Sequence, residues 1–213
     1  MTASRRTLQK EATREHLYTQ AMRLFGERGY DAVSIDDIVR EAQVARGTFY
    51  FHFPGKDDVL LELIRRNDRR IVESMRAMRG RPLGAVLRAT TDAFAAAWRD
   101  RRALLPHAGA VALRRIAEVA EVRDEQPLRV ELVQHVEAAV AAGELRSVLP
   151  SQMLADVFLL DVFAALMAWG VAAPVELDVV LAAVIDLFLH GVDRGAEAPA
   201  GMRVASLRPR GNS

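Results

Sequence analysis

The sequence predicts an all-α protein in which a small N-terminal helix-turn-helix domain precedes a larger helical domain. Apolar residues recur at intervals of three and four along most of the 213 residues, and no segment shows the sustained alternation of a strand. Ala, Leu, Glu and Arg, which favour helices, dominate the chain. Two short helical segments separated by a tight turn lie at residues 34–53.

The composition excludes several classes of protein. There is no cysteine, so disulfides, thiolate metal sites and a cysteine nucleophile are excluded. Lys+Arg total 29 and Asp+Glu 28, so the chain lacks an overall basic signature and any nucleic-acid site must show in local patterns. The first ten residues hold no apolar run, and the longest uncharged apolar run, residues 162–175, is shorter than a membrane span. We therefore expect a soluble, cytoplasmic protein.

The first predicted helix covers about residues 7–28. Its apolar residues recur on one helical face: Leu17, Ala21, Leu24 and Phe25. Gly29 follows, and glycine suits the left-handed residue that ends many helices. Ser34 is expected to cap the second helix, with Asp37 completing a Ser-x-x-Asp capping box.

A break at Gln43-Val44 leads to a brief third helix, about residues 46–52. Pro54 holds Phe53 away from helical geometry, so this helix must stop there. Gly55 then caps a fourth helix that reaches about Met78. Residues Gly80-Arg81-Pro82 form the clearest break after it.

Five further helices are predicted after this break, near 83–99, 102–120, 126–142, 151–171 and 176–193. The breaks between them fall at Asp100, Asp124, Gly143 and Pro174, and Pro106 is expected to kink the second of the five. The predicted domains are residues 1–55 and 56–195, followed by a disordered tail over 196–213 that lacks periodicity.

The third helix is too short to be stable alone, so packing must hold it. Phe49 and Phe53, four residues apart, can anchor it, while Arg46, Thr48, Tyr50 and His52 give the opposite face a polar character. Such a helix suits insertion into a DNA major groove. A packing hairpin with a solvated face has the same pattern, and spacing alone leaves both interpretations open.

The stretch from about Thr13 to Leu61 resembles the DNA-binding domain of the TetR family of regulators. The residues that carry the resemblance are Leu24-Phe25, Gly29-Tyr30, Ser34-Ile35-Asp36-Asp37-Ile38, the run from Val44 to Phe53, and Lys56. The remaining three quarters of the chain resemble the family only in length and helical pattern.

The resemblance implies roles for seven residues. They are Ser34, Arg46, Gly47, Thr48, Tyr50, His52 and Lys56. Arg46, Gly47 and Thr48 would form the groove-facing end of the recognition helix, with Arg46 donating to a guanine edge. Tyr50 and His52 would contact phosphates, as would Lys56 and Ser34 at helix N-termini.

One position departs from the family pattern. Ala45 stands where many relatives carry Ser or Thr, so the third helix lacks a side-chain cap, at a cost of about 1 kcal/mol.

The resemblance also implies a homodimer that binds a pseudo-palindromic duplex and a small, mainly apolar effector. The dimer would form through the helix near 151–171, which is apolar nearly all round, and the helix near 176–193, which adds further apolar residues. The candidate cavity residues are Phe94, Trp98, His107 and His135. No cofactor, metal or catalytic residue is expected, and the family favours a repressor over an activator.

Two alternatives remain open at this point. The first is a helical enzyme, but none of the histidines has metal-ligand spacing and no Gly-rich phosphate loop occurs. Asp186 and His190, four apart, are interpreted as an interface ion pair. The second is a regulator without a small-molecule ligand that acts through protein partners.

Overall fold

The computed structural model describes residues 5–118, 126–171 and 175–194. Within these ranges the chain is helical and contains no strand, which confirms the predicted all-α fold. A 3₁₀ segment, Arg99–Leu104, links α5 to α6. The α-helices are α1 (Arg5–Arg28), α2 (Ile35–Glu41), α3 (Arg46–His52), α4 (Lys56–Ala77), α5 (Leu83–Trp98), α6 (Leu105–Glu118), α7 (Pro127–Ala141), α8 (Ser151–Val171) and α9 (Leu177–Arg194).

Helices α1 to α3 pack around a small apolar centre that the first turns of α4 complete. The predicted inner face of α1 is fully buried: Leu17, Ala21, Leu24 and Phe25. Gly29 ends α1 with a φ of 83° and donates to the Phe25 carbonyl at 3.0 Å, as predicted. A side chain would strain this left-handed position, whereas glycine occupies it freely.

Helix α4 belongs to both parts of the molecule. Its N-terminal half packs against α1, and the helix also packs against α5, α6 and α7. Glu62 is buried between α1 and α4, where it accepts from Arg14 at 2.7 Å and from Arg66 at 2.9 Å. Burial alone would raise the pKa of Glu62, but the hydrogen bonds from Arg66 and Arg14 hold the pKa below its ordinary value. The two cations therefore keep this buried carboxylate ionised and fix α1 to α4.

A second buried carboxylate fixes the other end of α4. Glu131 on α7 is 2% exposed and accepts from Arg76 at 2.9 Å and from Arg79 at 2.8 Å. His135, one turn further along α7, lies 3.0 Å from the Met75 carbonyl oxygen. The C-terminal end of α4 is therefore held on α7 by polar contacts as well as by packing.

Helices α6 and α8 cross at close range. A Cβ atom on Gly170 of α8 would lie 3.0 Å from the Cβ atom of Leu105, and one on Gly109 of α6 would overlap the end of Met167. The absence of a side chain at both positions leaves room for Leu105 and for the flexible end of Met167 at this crossing.

Most helix boundaries agree with the sequence prediction to within two residues. The region after α5 differs, because residues 99–104 form a 3₁₀ segment and Pro106 lies in the first turn of α6. Proline is tolerated there, since the amide that it lacks has no helical partner, so the predicted kink inside a longer helix is wrong. The predicted breaks at Asp124 and Pro174 and the predicted disordered tail over 196–213 lie outside the described residues.

Helix α8 is apolar on two sides. Among the described residues, α8 is the one helix whose length and composition would allow it to cross a membrane. The core helices of soluble helical bundles meet the same criterion. One side of α8 is buried: Leu154, Ala155, Phe158, Val162, Ala165, Leu166 and Trp169. The other side is an exposed strip of apolar residues at helical spacing: Met153, Val157, Leu160, Ala164, Ala168 and Val171. The strip is the largest apolar feature of α8 that the bundle leaves uncovered.

Candidate DNA-binding site

Packing holds the short helix α3 in place, as the sequence predicts. Phe49 is fully buried and Phe53 is 1% exposed, with 5.9 Å between their ring centroids. Ala45 precedes the helix in an extended conformation and offers no side-chain cap, which confirms the expected missing cap. The turn before it passes through Gln43, whose φ of 53° is left-handed.

Helix α2 has the predicted capping box. The Asp37 amide donates to the Ser34 Oγ at 3.1 Å, and the Ser34 amide donates to the Asp37 carboxylate at 3.0 Å. The hydrogen bond that the Ser34 hydroxyl donates to the Asp37 carboxylate, and then the one from the Ser34 amide, hold the pKa of Asp37 below its ordinary value. The Ser34 hydroxyl is thus engaged in the cap, and only the exposed helix N-terminus is left to meet a phosphate.

The exposed residues of α3 are Arg46, Gly47, Tyr50 and Phe51. The Arg46 Nη1 donates to both carboxylate oxygens of Asp36, at 2.9 and 3.1 Å, and its Nη2 lies 3.3 Å from the Tyr50 hydroxyl. A Cβ atom on Gly47 would meet no atom within 4 Å, so this part of the helix presents bare backbone. Thr48 is half-buried beside these residues.

His52 does not lie on the exposed face of α3, and its predicted exposure is wrong. Its side chain is 8% exposed, and its ring packs edge-on against Phe51 with 5.1 Å between centroids. Burial, together with the positive charges of Arg14 and Lys10, holds the pKa of His52 below its ordinary value. The ring is therefore neutral at physiological pH, so it offers no positive charge to a phosphate.

Phe51 takes the exposed position that was assigned to His52. Its side chain is 67% exposed, and the Lys10 ammonium lies 4.9 Å from the ring centroid. The exchange of Phe51 and His52 is hard to predict because residues 49–53 all carry aromatic rings. Whichever way this short helix is rotated about its axis, two aromatic residues lie on its buried side.

Lys56 is also placed differently from the expectation that it contacts phosphate. Its Nζ donates to the Tyr30 carbonyl at 2.8 Å and to the Val33 carbonyl at 2.9 Å, and it lies 4.1 Å from the Tyr30 ring centroid. The ammonium therefore closes the loop between α1 and α2, and only its third N–H is left for a phosphate.

Helix α6 contacts the loop after α1 and the first turn of α4 through a polar cluster. The α6 cluster comprises Tyr30, Asp31, Asp57, His107 and Arg114. The His107 ring packs on Tyr30 with 4.7 Å between centroids, and its Nε2 lies 3.6 Å from the Asp31 Oδ2. Asp57 accepts from the Tyr30 hydroxyl and from Arg114, the latter at 2.5 Å. Burial, and then the hydrogen bond to Asp57, raises the pKa of Tyr30, so its hydroxyl stays a donor.

The four candidate cavity residues are not brought together around one pocket. Phe94 and Trp98 are buried on α5, His135 is bound to the Met75 carbonyl, and His107 lies in the α6 cluster. A pocket of about 100 Å³ lies between α5 and α9, and none of the four lines it. Its lining residues are Arg88, Thr91, Asp92, Asp178, Leu181, Ala182 and Ile185.

Comparison with known proteins gives the family. The sequence model of bacterial regulatory proteins of the tetR family matches residues 17–63, the segment that forms most of α1, all of α2 and α3, and the start of α4. Residues 17–63 are therefore a tetR-family segment. The tetR family is a class of regulatory proteins.

Two HTH-type transcriptional regulators match about a quarter of this chain, and one transcriptional repressor matches just over half of it. The HTH-type transcriptional regulator YwcC of Bacillus subtilis is 44% identical over 57 residues, 27% of this chain and 26% of YwcC. AcrR of Shigella flexneri is 38% identical over 61 residues, 28% of each chain, so the match spans about a quarter of the length of these relatives. The transcriptional repressor AcnR of Corynebacterium glutamicum is 27% identical over 138 residues, 55% of this chain and 73% of AcnR.

Solved structures extend the likeness over the whole fold. FadR of Thermus thermophilus, a TetR-family repressor in complex with lauroyl-CoA, has a TM-score of 0.68 at 24% identity and covers 93% of this chain and 100% of its own. FadR of Bacillus subtilis, in complex with stearoyl-CoA, has a TM-score of 0.65 at 16% identity, covering 84% of this chain and 98% of its own. At these identities the likeness shows a shared fold, in which a larger helical domain follows the helix-turn-helix.

Proposed function

We propose that this protein is a dimeric, cytoplasmic repressor that binds a pseudo-palindromic operator and leaves it when a small, mainly apolar effector binds. The observation that carries the DNA-binding part is the exposed face of α3. Arg46, bare backbone at Gly47 and Tyr50 project from a helix whose aromatic anchors are buried, as a helix that enters a major groove requires.

The exposed strip of α8 supports the dimer. Leu160 is 64% exposed, and Val179 and Leu187 on α9 are 58% and 67% exposed. Apolar residues in a continuous strip mark an interaction surface, and a second copy of the same two helices would cover it. A dimer places two α3 helices on one duplex, so each reads one half of the site.

A selection from duplexes with a randomised centre, followed by footprinting, tests the DNA-binding proposal. We expect an enriched pseudo-palindrome whose half-sites are about 34–36 Å apart, one helical turn of DNA. A single asymmetric half-site bound by a monomer would contradict the proposal.

The effector part rests on the fold shared with the two FadR structures, which hold lauroyl-CoA and stearoyl-CoA. A long-chain acyl-CoA is therefore the first candidate to test. The pocket between α5 and α9, about 100 Å³, is smaller than the roughly 300–1,000 Å³ of ligand pockets, so binding of an acyl-CoA there would require α5 and α9 to move apart.

Two connections can transmit such a movement of the helices to α2 and α3. Helix α4 runs unbroken from Lys56, beside α3, to its anchorage on Glu131, and the α6 cluster joins α6 to Tyr30 and Asp57. A shift of α4 or α6 therefore changes the orientation of α3, and with it the spacing of the two recognition helices in the dimer.

Calorimetry of acyl-CoA with the free protein and with the operator complex tests the effector proposal. A coupling of about 1–3 kcal/mol weakens acyl-CoA binding about 5–150-fold in the complex, because linkage is reciprocal. Coenzyme A without the acyl chain is the control. Equal affinities in the two titrations would mean that the acyl-CoA does not regulate DNA binding.

The small pocket favours a second candidate, a regulator of the same DNA without a small-molecule ligand. It predicts that operator affinity stays constant across a panel of acyl-CoAs and free fatty acids and responds instead to a protein partner.

A further inference from the structure

Asp36 is an acidic residue in the surface that is proposed to face DNA. It lies in the first turn of α2 with its side chain 56% exposed, ten residues before Arg46. A carboxylate there is repelled by DNA phosphates, so its presence needs an explanation other than backbone binding. The favourable interaction with the N-terminus of α2 does not supply one, since Asp37 already fills that role through the capping box.

The contacts of Asp36 supply the explanation. Both of its carboxylate oxygens accept from the Nη1 of Arg46, and the Tyr50 hydroxyl lies on the other side, 3.3 Å from Nη2. Arg46 is thus held between one residue of α2 and one of its own helix. The guanidinium therefore has a preferred direction before DNA arrives, and its charge is paired with a carboxylate.

We propose that Asp36 is a specificity-determining residue that restrains Arg46. The restraint directs the remaining N–H groups of Arg46 to one base edge and withholds its charge from phosphates at other sites. Non-specific binding, which depends on phosphate contacts, is then weakened more than operator binding. This inference rests on the proposed function, since it requires that α3 reads DNA.

Because the ion pair between Asp36 and Arg46 is exposed, it is weak, and Arg46 can still change its conformation when it meets DNA. Exposed ion pairs alter an equilibrium by a factor of up to about five. Asp36→Asn keeps the shape of the side chain but removes its charge. We expect affinity for a random-sequence duplex to rise by up to about fivefold, with the preference at one base position of each half-site relaxed. The salt dependence of non-specific binding should steepen by up to about 0.9, the contribution of one additional phosphate contact.

A double-mutant cycle with Arg46→Ala separates restraint from simple repulsion. If Asp36 acts through Arg46, Asp36→Asn has no further effect on the salt slope or the base preference once Arg46 is removed. Asp36→Glu, which keeps the charge on a longer stem, should restore the wild-type slope. Glu41→Gln is the matched control, because it removes a carboxylate from the same helix that is paired with Arg23 instead.

The experiment measures binding to the selected operator and to a random-sequence duplex over a range of salt concentrations, for all these variants. An Asp36→Asn effect that persists in the Arg46→Ala background, or that Glu41→Gln reproduces, overturns the inference and leaves simple repulsion. Wild-type discrimination that Asp36→Asn leaves unchanged overturns the inference alone. Wild-type protein that binds neither duplex overturns the proposed function as well.

Discussion

At the scale of single residues, Lys56 is a structural residue as well as a candidate phosphate ligand. Its ammonium donates to two carbonyls of the loop between α1 and α2, those of Tyr30 and Val33. Loss of the ammonium leaves both carbonyls without their charged donor. We expect Lys56→Met to lower the free energy of unfolding by about 1–3 kcal/mol, measured by denaturant titration.

Lys10→Met is the matched control, since the Lys10 ammonium has only the exposed Phe51 ring beneath it. A surface change of this kind is expected to stay within about 0.5 kcal/mol. If Lys56→Met were as stable as Lys10→Met and lowered the salt slope of DNA binding by about one, the role of Lys56 would be to hold phosphate.

Asp68 in α4 gives the protein a pH-dependent stability. Burial raises the pKa of Asp68 to about 6, from an ordinary value of 3.8. The folded state therefore binds the proton more tightly than the unfolded state, and stability falls as the pH rises from about 4 to about 6. Asp68→Asn removes this penalty, so we expect it to stabilise the protein at pH 7 by as much as about 3 kcal/mol.

The sign of the Asp68 effect is tested by unfolding at two pH values. At pH 3.5 the aspartate is protonated in most molecules of both states, so the variant and wild type should be nearly equally stable. Asp92→Asn, at an exposed position of α5, should change stability little at either pH. A gain for Asp68→Asn that is as large at pH 3.5 as at pH 7 would show that packing rather than charge is responsible.

His52 and Phe51 show where sequence reasoning reaches its limit at this scale. The sequence indicates that α3 is short, amphipathic and anchored by Phe49 and Phe53, and the structure confirms this. Which of two adjacent residues turns inward is decided by α1. There the Arg14 guanidinium donates to the His52 carbonyl and Lys10 lies over the Phe51 ring. Contacts 38 residues away in the chain leave no local signal.

At the scale of elements, α2 and α3 differ in how they begin. Helix α2 has a complete capping box, whereas α3 begins after Ala45 without a side-chain acceptor for its free amides. Ala45→Ser should supply that acceptor and raise the free energy of unfolding by about 1 kcal/mol, measured by denaturant titration.

The control for this change is Ala12→Ser, at an exposed position inside α1, where serine is a poorer helix former than alanine and should destabilise slightly. An Ala45→Ser variant no more stable than Ala12→Ser would show that the amides of α3 are already satisfied by solvent.

Helix boundaries were predictable wherever the chain carries its own stop or start signal. Gly29, Ser34, Pro54 and Gly143 each mark an end that the structure has within two residues. The sequence also predicts the break at Asp100 but not the 3₁₀ geometry of residues 99–104, because that geometry depends on how the chain turns between two packed helices. The burial of Glu131 against Arg76 of α4 and Arg79 just after α4 could not be predicted from local pattern either, because these partners lie more than 50 residues away in the chain.

At the scale of the whole molecule, the apolar strip on α8 has a direct consequence for assembly. Leu160 lies in the middle of the strip, so a charge there would be buried against the second copy in the proposed dimer. We expect Leu160→Asp to produce a folded monomer in analytical ultracentrifugation, with operator binding strongly reduced. Leu113→Asp, on the exposed side of α6, should remain dimeric. A dimeric Leu160→Asp variant would place the interface elsewhere.

The close crossing of α6 and α8 at Gly109 offers a genetic route to the proposed switch. A leucine at this position would overlap the flexible end of Met167 and crowd Phe163, so we expect Met167 to repack and α6 to shift away from α8. Because His107 and Arg114 lie on the same helix, that movement pulls on Tyr30, Asp31 and Asp57 and so on the DNA-reading end. In a cell carrying a reporter under the operator, Gly109→Leu should therefore give constitutive expression at normal protein abundance. The wild type would show this expression only when the effector is bound. The leucine side chain would therefore have the same result as the effector in cells that lack the effector.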